Sequence, residues 1–285
     1  MIKFKNKLDL LKILNIIFIL VLVSVMILPI LNSIAVSFST NMDSMRPGIT
    51  LWPKKFSVEG YKTIIRKLNI WRPFLVSVFV TILGTFFHVM LSAFAAYSLI
   101  QKDLLYKKIL TMIIIVSMMV PSQAIMVPQY IVFKQLGLMN SLNALIISGL
   151  VSGFSILLLS NYFKTVPYAL YESAVIDGAG HFTILKNIYF PIAKPGLMTV
   201  TLFEFVSRWN DFTSALLYIN NPKLYTLQLA LRSVLTSDDA TSTANLLTNN
   251  AKMAGIVISL IPLLLIYPFV QKYFIKGVNL GAIKE

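Results

Sequence analysis

Six apolar stretches, each long enough to cross a lipid bilayer, constrain the fold of this chain more than any other feature. A helix needs about 20 mostly apolar residues to span the hydrocarbon core of a membrane. Such stretches lie at about 13–36, 74–100, 109–127, 142–162, 195–218 and 254–274. A helix satisfies its backbone polar groups within its own segment, so the pattern predicts an all-α integral membrane protein with six transmembrane helices. We expect one transmembrane domain over residues 1–285.

Composition supports this class. The chain is 57% hydrophobic and 13% charged, and it contains no cysteine. Soluble domains are about 25% charged, and without cysteine neither a disulfide nor a thiolate metal site can form. The net charge of +14 lies in short loops and tails, which favours phospholipid head groups over nucleic acid as the partner. His88 lies in an apolar stretch far from His181, so we interpret it as a hydrogen-bonded packing residue rather than a metal ligand.

Lysine distribution predicts the orientation. Cytoplasmic loops carry an excess of Lys and Arg, and the first helix usually dominates. Lys3, Lys5, Lys7 and Lys12 precede the first apolar stretch. Six spans place both termini on one side, and we expect that side to be the cytoplasm. The polar segment 163–194 lies between the fourth and fifth spans and is then cytoplasmic as well.

Segment 163–194 has a helical pattern of its own. We predict a first short helix that ends near Asp177 and Gly178. Thr165 is suited to cap it, and Pro167 suits its first turn. Gly178 and Gly180 can adopt left-handed backbone angles at the break. A second helix is predicted from Phe182 to Tyr189, and Pro191 is expected to end it.

The same segment resembles the Glu-Ala-Ala loop of binding-protein-dependent ABC importer permeases, which implies a contact with an ATPase, and we therefore name residues 163–194 the coupling loop. In that family the pattern is Glu-Ala-Ala, three residues, Gly, nine residues, Ile, one residue and Leu-Pro. The positions that match it are Glu172, Ala174, Gly178, Ile188 and Pro191. Two positions differ slightly, because Ser173 stands in place of the second-position Ala and Phe190 in place of Leu.

The resemblance extends over nearly the whole chain. The segments Pro121-Ser122-Gln123 and Trp209-Asn210-Asp211-Phe212 look like those of carbohydrate permeases of the maltose-system second-subunit type, and an oligosaccharide subgroup is the most similar. This resemblance implies a subunit of an ATP-driven sugar importer in the bacterial plasma membrane. It also implies a second permease as heterodimer partner, two ATPase domains, and an extracellular or periplasmic substrate-binding protein.

The resemblance further implies that the chain is not an enzyme and binds no cofactor, since ATP and Mg²⁺ would be held by the partner ATPase. In agreement, the sequence has no GxxxxGK[ST] phosphate-binding loop. Closure of the ATPase pair would push the coupling loop and switch the pore between its two states. The residues implied in that ATPase contact are Glu172, Ser173, Ala174, Asp177, Gly178, Ala179, Ile188 and Pro191.

The fifth predicted span contains a charge cluster. Glu204, Arg208 and Asp211 are spaced by four and three residues, which places them on one helical face. Charged side chains inside a membrane are costly unless they are paired with one another or face a water-filled cavity. One interpretation is a structural salt bridge from Glu204 to Arg208. The other is a polar lining of the sugar path or of the interface with the second permease, to which Trp209 and Asn210 would add an aromatic face and an amide.

Two further segments allow two interpretations each. Pro121 and Pro128 interrupt the third span, as a packed kink or as a hinge near the external mouth. The external segment 39–72, rich in Lys, Arg and Trp, is either an amphipathic stretch at the head groups or part of a docking surface for the binding protein.

Two other functions remain open. One is an ABC permease for another cargo, such as a phosphorylated polyol or a peptide. An anionic cargo calls for cations in its path, and Arg208 is the one Arg or Lys deep in a predicted span. The other is an ion-coupled secondary transporter, which is disfavoured because the two halves contain no matching pair of broken helices.

Overall fold

The structure is a computed structural model that describes residues 3–236 and 248–281, with side chains for 11–234 and 248–268. Within these ranges every regular element is a helix, and the one extended pairing is an isolated bridge between Ser39 and Phe56. The predicted all-α fold class is confirmed.

The helices of the first half are α1 (Lys3–Ser37), α2 (Asn41–Ser44), α3 (Glu59–Leu68), α4 (Trp71–Ile100), α5 (Lys107–Met119), α6 (Ser122–Gln135) and α7 (Leu142–Ile147). Those of the second half are α8 (Gly153–Phe163), α9 (Tyr168–Ile176), α10 (His181–Ile184), α11 (Phe190–Ile192), α12 (Lys194–Trp209), α13 (Thr213–Tyr218), α14 (Leu227–Thr236) and α15 (Asn249–Gly281). A π-helix at Leu185–Tyr189 joins α10 to α11, and a 3₁₀ turn occupies Pro222–Leu224.

Three helices of the described chain are long and apolar enough to cross a membrane: Leu11–Ser37 in α1, the whole of α4, and Asn249–Pro268 in α15. The pair α5 and α6 is apolar enough for a fourth crossing but is bent by 100°. The bend falls at Val120, whose φ of −78° and ψ of 120° are extended. A residue before proline is disfavoured in the α region, so Pro121 accounts for the position of the break.

The fourth and fifth predicted stretches each consist of two helices, so a single continuous helix is wrong for both. Residues 148–152 separate α7 from α8, and Gly149 among them has a φ of +73°. Residues 210–212 separate α12 from α13. The apolar composition continues across both breaks, which is why hydropathy did not reveal them.

The described residues form two compact units, one within 3–70, 231–236 and 248–261 and the other within 71–230 and 262–281. In the first unit, the buried amide of Asn250 at the start of α15 donates to the carbonyl of Ser39 at 3.0 Å and to Oδ1 of Asn41 at 2.8 Å. A Cβ at Gly60 of α3 would lie 2.7 Å from the carbonyl oxygen of Asn250. The segment after α1 is therefore fixed against the start of α15.

In the second unit, α4 packs against both α8 and α12. The small residues Ala93 and Ala96 of α4 are fully buried there, which permits close approach of helix backbones. Gly196 of α12 lies against the ring of Tyr162, so a side chain at that position would overlap the ring. The same core includes Tyr189, and this places the coupling loop on the scaffold formed by α4, α8 and α12.

Candidate functional site

Helix α9 of the coupling loop ends in a Schellman motif at the predicted break. The N–H of Gly178 donates to the carbonyl of Val175 at 3.0 Å, and the N–H of Ala179 donates to that of Ala174 at 2.9 Å. Gly178 has a φ of +78°, a conformation that glycine adopts without steric cost. The prediction of a left-handed Gly178 is confirmed. It is wrong for Gly180, which is extended, with a φ of −70° and a ψ of 157°.

The start of α9 differs from the prediction. Pro167 lies at the N-cap position, one residue before the first turn. The hydroxyl of Thr165 donates to the carbonyl of Tyr162 at 2.7 Å, so it satisfies the end of α8 and does not cap α9. The predicted Thr165 cap is wrong because α9 begins at Tyr168, so Thr165 lies two residues before the N-cap position.

Helix α9 has a packed face and an exposed face. Ala174 and Ala179 pack against the hydrophobic core of the second unit. The exposed residues of the helix are Ala169, Leu170, Glu172, Ser173, Val175 and Ile176, and Asp177 and Gly178 directly after its end are exposed as well. The side chain of Ile176 is 85% exposed. An exposed apolar centre with an acidic rim is typical of a protein contact surface.

Aromatic contacts fix both ends of the loop helices to the end of α4. The Tyr97 hydroxyl lies 3.2 Å from Nδ1 of His181, and the Tyr97 ring lies 5.1 Å from that of Tyr189 in an edge-to-face arrangement. Just after α4, Nζ of Lys102 lies 3.5 Å above the ring of Tyr168, the first residue of α9. These contacts connect the loop to the end of α4 and to the residues directly after it.

The predicted second loop helix is present, but Pro191 does not end it. The chain continues as a π-helix over Leu185–Tyr189, in which the N–H of Phe190 donates to the carbonyl of Leu185, and then as α11. In a regular α-helix the proline ring would clash with the carbonyl four residues earlier. The wider π turn directly before Pro191 accommodates the ring. Ile188 is partly buried against the core, and Pro191 is exposed.

The predicted ion pair in α12 is present. Nε of Arg208 donates to Oε1 of Glu204 at 2.5 Å, and the two side chains are only 6% and 14% exposed. His88 of α4 adds Nδ1 at 3.4 Å from the same carboxylate oxygen. His88 is fully buried and both its ring nitrogens have partners: Nδ1 lies 2.8 Å from the carbonyl of Gly149, and Nε2 lies 2.8 Å from the hydroxyl of Ser155. The interpretation of His88 as a hydrogen-bonded packing residue is confirmed. We refer to His88, Glu204 and Arg208 as the charge cluster.

The charge cluster supplies hydrogen-bond donors to backbone carbonyls at the break between α7 and α8. Nη1 of Arg208 donates to the carbonyls of Leu145 and Ile146 at 3.0 and 3.2 Å. These carbonyls belong to the last turn of α7, which has no helical partner for them. With His88 on the carbonyl of Gly149, three backbone oxygens at the break receive donors from α4 and α12. Broken helices in membranes require such replacement donors.

Trp209 at the end of α12 and the two residues that follow it, Asn210 and Asp211, are in different environments. The indole of Trp209 is 2% exposed, with its ring against those of Phe74 and Phe205. Oδ1 of Asp211 accepts from the N–H of Ser214 at 3.0 Å and so caps the first turn of α13. Asn210 is exposed. Trp209 therefore presents no free ring face to a sugar, and Asn210 is the member of the set open to solvent.

Among the described residues, no group of three His, Asp or Glu side chains is placed to hold a metal ion. The structural features above are those of a membrane helix bundle in which one loop contains a partly exposed helix packed against the core. A family model described as the inner membrane component of binding-protein-dependent transport systems matches residues 88–280, which include the coupling loop and the charge cluster. The chain belongs to this permease family.

The permease is similar over nearly its full length to known proteins. It is 35% identical to the polygalacturonan/rhamnogalacturonan transport system permease protein YtcP of Bacillus subtilis (strain 168), covering 94% of this chain and 96% of the relative. It is 26% identical to the arabinooligosaccharides transport system permease protein AraQ of Halalkalibacterium halodurans, covering 90% and 91%.

A solved structure agrees with these sequence relatives. A crystal structure of a bacterial ABC transporter involved in the import of the acidic polysaccharide alginate includes a chain with a TM-score of 0.85 and 26% identity. The match covers 93% of this permease and 97% of that chain. The permease is a multi-pass protein of the bacterial plasma membrane and is not an enzyme.

Several residues of the permease scaffold were not predicted from the sequence. Gly84 of α4 leaves the space that the Arg208 guanidinium fills, and Gly149 provides the left-handed turn after α7. Tyr97 connects α4 to the loop. Glycine inside an apolar helix is a signal of close approach, but it does not indicate which group approaches.

Proposed function

We propose that this permease forms part of the membrane pore of an ATP-driven importer for a carbohydrate, most specifically an oligosaccharide. The family match over residues 88–280 supports the importer class. The relatives named above serve polygalacturonan and rhamnogalacturonan, arabinooligosaccharides and alginate. These names favour a carbohydrate over the alternative cargoes, a phosphorylated polyol or a peptide, and over an ion-coupled transporter.

We further propose the architecture expected from the sequence. The whole chain acts as one transmembrane domain with six crossings, both termini in the cytoplasm and the coupling loop on the cytoplasmic side. A second, homologous permease completes the pore. Two ATPase domains bind ATP and Mg²⁺, so this chain needs no cofactor, and a binding protein outside the membrane delivers the sugar. The divided fourth and fifth stretches each cross the membrane as two consecutive helices.

Helix α9 is the proposed contact with the ATPase. The observation that carries this proposal is its exposed face, in which Ile176 is 85% exposed beside Glu172 and Asp177 while Ala174 packs on the core. No neighbouring atom lies within 4 Å of a Cβ placed at Gly178. Its backbone is therefore open for close approach by a partner. Ser173, Ala179, Ile188 and Pro191 belong to the same proposed coupling element.

Movement of α9 would reach the pore through α4. Tyr97 and Tyr189 connect the loop to α4, and the charge cluster connects α4 to α12. In this mechanism Glu204 and Arg208 hold the divided helices together, and Trp209 and Asp211 fix the end of α12. Asn210 is the proposed contributor to the translocation path or to the interface with the second permease.

The external segment 39–72 is the proposed contribution to docking of the binding protein. It is folded, with the N–H of Thr50 donating to Oδ1 of Asn32 at 2.8 Å. It borders a cavity of about 310 Å³ and presents Trp52 with 83% of its surface exposed. A surface that is folded before binding loses less conformational entropy on binding than an unfolded segment does.

The importer class is tested by affinity purification from gently solubilised membranes, followed by mass spectrometry of the bound proteins. We expect a second permease, an ATPase and a lipoprotein binding protein, and uptake of the sugar that this binding protein selects. A chain that purifies without an ATPase would contradict the proposal.

The coupling contact is tested by substitutions in α9. Glu172→Lys and Gly178→Asp are expected to abolish uptake while the chain stays in the membrane. Asp103→Lys is the matched control, because it makes the same charge change at an exposed position in the loop between α4 and α5. Normal uptake in both α9 variants would refute the coupling role.

Two milder variants separate backbone conformation from partner contact at Gly178. Asn adopts left-handed backbone angles more readily than Ala does. The left-handed conformation of residue 178 costs an Ala about 1–2 kcal/mol. If the glycine only provides the turn, Gly178→Asn transports better than Gly178→Ala. If the ATPase approaches the backbone closely, as we propose, both side chains obstruct it and both variants lose most of their transport.

A further inference from the structure

A small apolar groove lies between α4 and the second half of the coupling loop. Its volume is about 240 Å³, and it is lined by Met90, Phe94, Phe182, Leu185, Lys186 and Phe190. Five of these six side chains are apolar, and Lys186 is the single cation. Phe182 is 65% exposed, and its ring lies 6.5 Å from that of Phe94.

The groove continues into an apolar surface along α4. Phe87, Leu91 and Phe94 are all exposed and are spaced by four and three residues, so they form one stripe on the helix. The stripe runs away from the coupling loop toward the middle of α4. It offers a continuous track for an extended hydrocarbon chain that starts at the groove.

Lys186 lines the groove with the apolar stem of its side chain, and such a stem lets the ammonium reach a nearby head group. Phe94 precedes the last residue of α4 by six positions, which corresponds to about 9 Å along the helix. The groove is thus near the end of a membrane-crossing helix, where phospholipid head groups begin. Lys186 is exposed there, and each lysine near an anionic surface contributes about 1 kcal/mol of attraction.

We propose that this groove is a binding site for an anionic phospholipid of the leaflet next to the coupling loop. One acyl chain lies along Phe94 and Leu91, and the phosphate binds the Lys186 ammonium. Charge complementarity decides between a lipid and an apolar helix of the second permease. A helix over the groove would remove Lys186 from water without a counter-charge, which is costly, whereas an anionic head group supplies one.

The site would connect membrane composition to the coupling loop, because a bound lipid contacts both α4 and the π-helix that contains Lys186. This consequence rests on the proposed function, but the lipid site itself does not. Its test therefore measures lipid binding rather than transport.

The experiment uses the complete transporter in nanodiscs that contain phosphatidylglycerol or phosphatidylcholine with a photoactivatable acyl chain. Cross-linked residues are mapped by mass spectrometry. We expect phosphatidylglycerol to label residues 182–190 and α4 near Phe94 about fivefold more than phosphatidylcholine does, as one lysine contact predicts. Lys186→Gln removes this preference, and Lys186→Arg retains it. The control Lys164→Gln, another exposed lysine of the loop, leaves it unchanged.

Two results would overturn the proposal. Equal labelling by both lipids would show ordinary annular lipid with no head-group selection. Labelling of the isolated chain that disappears in the complete transporter would show that a partner subunit covers the groove. Because neither result depends on ATP or sugar, a failure here is distinct from a failure of the importer assignment.

Discussion

Gly84 of α4 lies directly against the guanidinium of Arg208 on α12, and a Cβ at Gly84 would overlap it. The absence of a side chain on one helix thus creates the space for the longest polar side chain of the other. From this position Arg208 reaches both Glu204 and the carbonyls of α7. The relationship joins three helices of the second unit at one point.

Substitution of Gly84 by Ala is therefore expected to destabilise the permease. Overpacking of a well-packed site costs about 1–3 kcal/mol, and here the displaced group is a paired charge. The melting temperature of the purified transporter should fall measurably. Gly180→Ala is the matched control, because Gly180 has an ordinary negative φ and no atom within 4 Å of a Cβ. Equal melting temperatures for the two variants would disprove the role assigned to Gly84.

Removal of the arginine charge should cost more. Arg208→Met leaves the largely buried Glu204 without its ion-pair partner and the Ile146 carbonyl without its side-chain donor, and breaking such a pair costs about 3–5 kcal/mol. The double variant Glu204→Gln with Arg208→Met should recover part of this loss, because no unpaired charge remains. Urea or thermal unfolding of the two variants measures the difference.

The same substitution at a pair whose arginine is exposed provides the reference. Arg46 pairs with Asp43 at 3.1 Å in the first unit, and the Arg46 side chain is 58% exposed, against 6% for Arg208. Solvent screens such a pair, which contributes about 0–1 kcal/mol, and Asp43 keeps its hydrogen bond from the Thr40 hydroxyl, so Arg46→Met should leave stability nearly unchanged. A loss as large as that of Arg208→Met would mean that burial does not explain the cost.

Trp209 and Asn210 are adjacent but should respond differently to substitution. Trp209 is buried, so Trp209→Ala is expected to lower stability by about 3–5 kcal/mol through loss of packing. Asn210→Ala at an exposed position should leave stability unchanged and alter uptake kinetics if this residue lines the path. Uptake at varied sugar concentration and melting curves on both variants test this. A change in sugar affinity in a stable Trp209→Phe variant would contradict the packing role.

Alkaline pH should destabilise the packing of the coupling loop at Tyr189. Burial raises the pKa of its phenol above the ordinary value of 10.0, and Tyr171 and Tyr168 raise it further. The folded state then holds the proton more tightly than the unfolded state, so this stabilisation is complete below pH 10 and is lost as pH rises through the raised pKa. Melting temperature should fall more steeply above pH 10 in the wild type than in Tyr189→Phe. Parallel curves would contradict the assignment.

The coupling loop shows which structural features can be predicted from the local sequence and which cannot. The Schellman end at Gly178 was predictable because it depends on one glycine and the hydrogen bonds of its own helix. The cap at Thr165 and the stop at Pro191 were wrong, because each has an alternative. Thr165 bonds to the end of α8, and the π turn lets the chain continue through Pro191. The energies that separate such alternatives are about 1 kcal/mol, which packing against the core readily overrides.

By itself, the sequence determined the helical membrane class and the position of the loop helix, and it offered the pairing of Glu204 with Arg208 as one of two interpretations. Each of these follows from the length of an apolar stretch or from helical spacing, which are local properties. Only the tertiary structure decided where the fourth and fifth stretches divide, which carbonyls Arg208 satisfies, and that Trp209 is buried. Those outcomes depend on groups far apart in sequence, since a break in a membrane helix is stable only where other helices supply the missing hydrogen-bond donors.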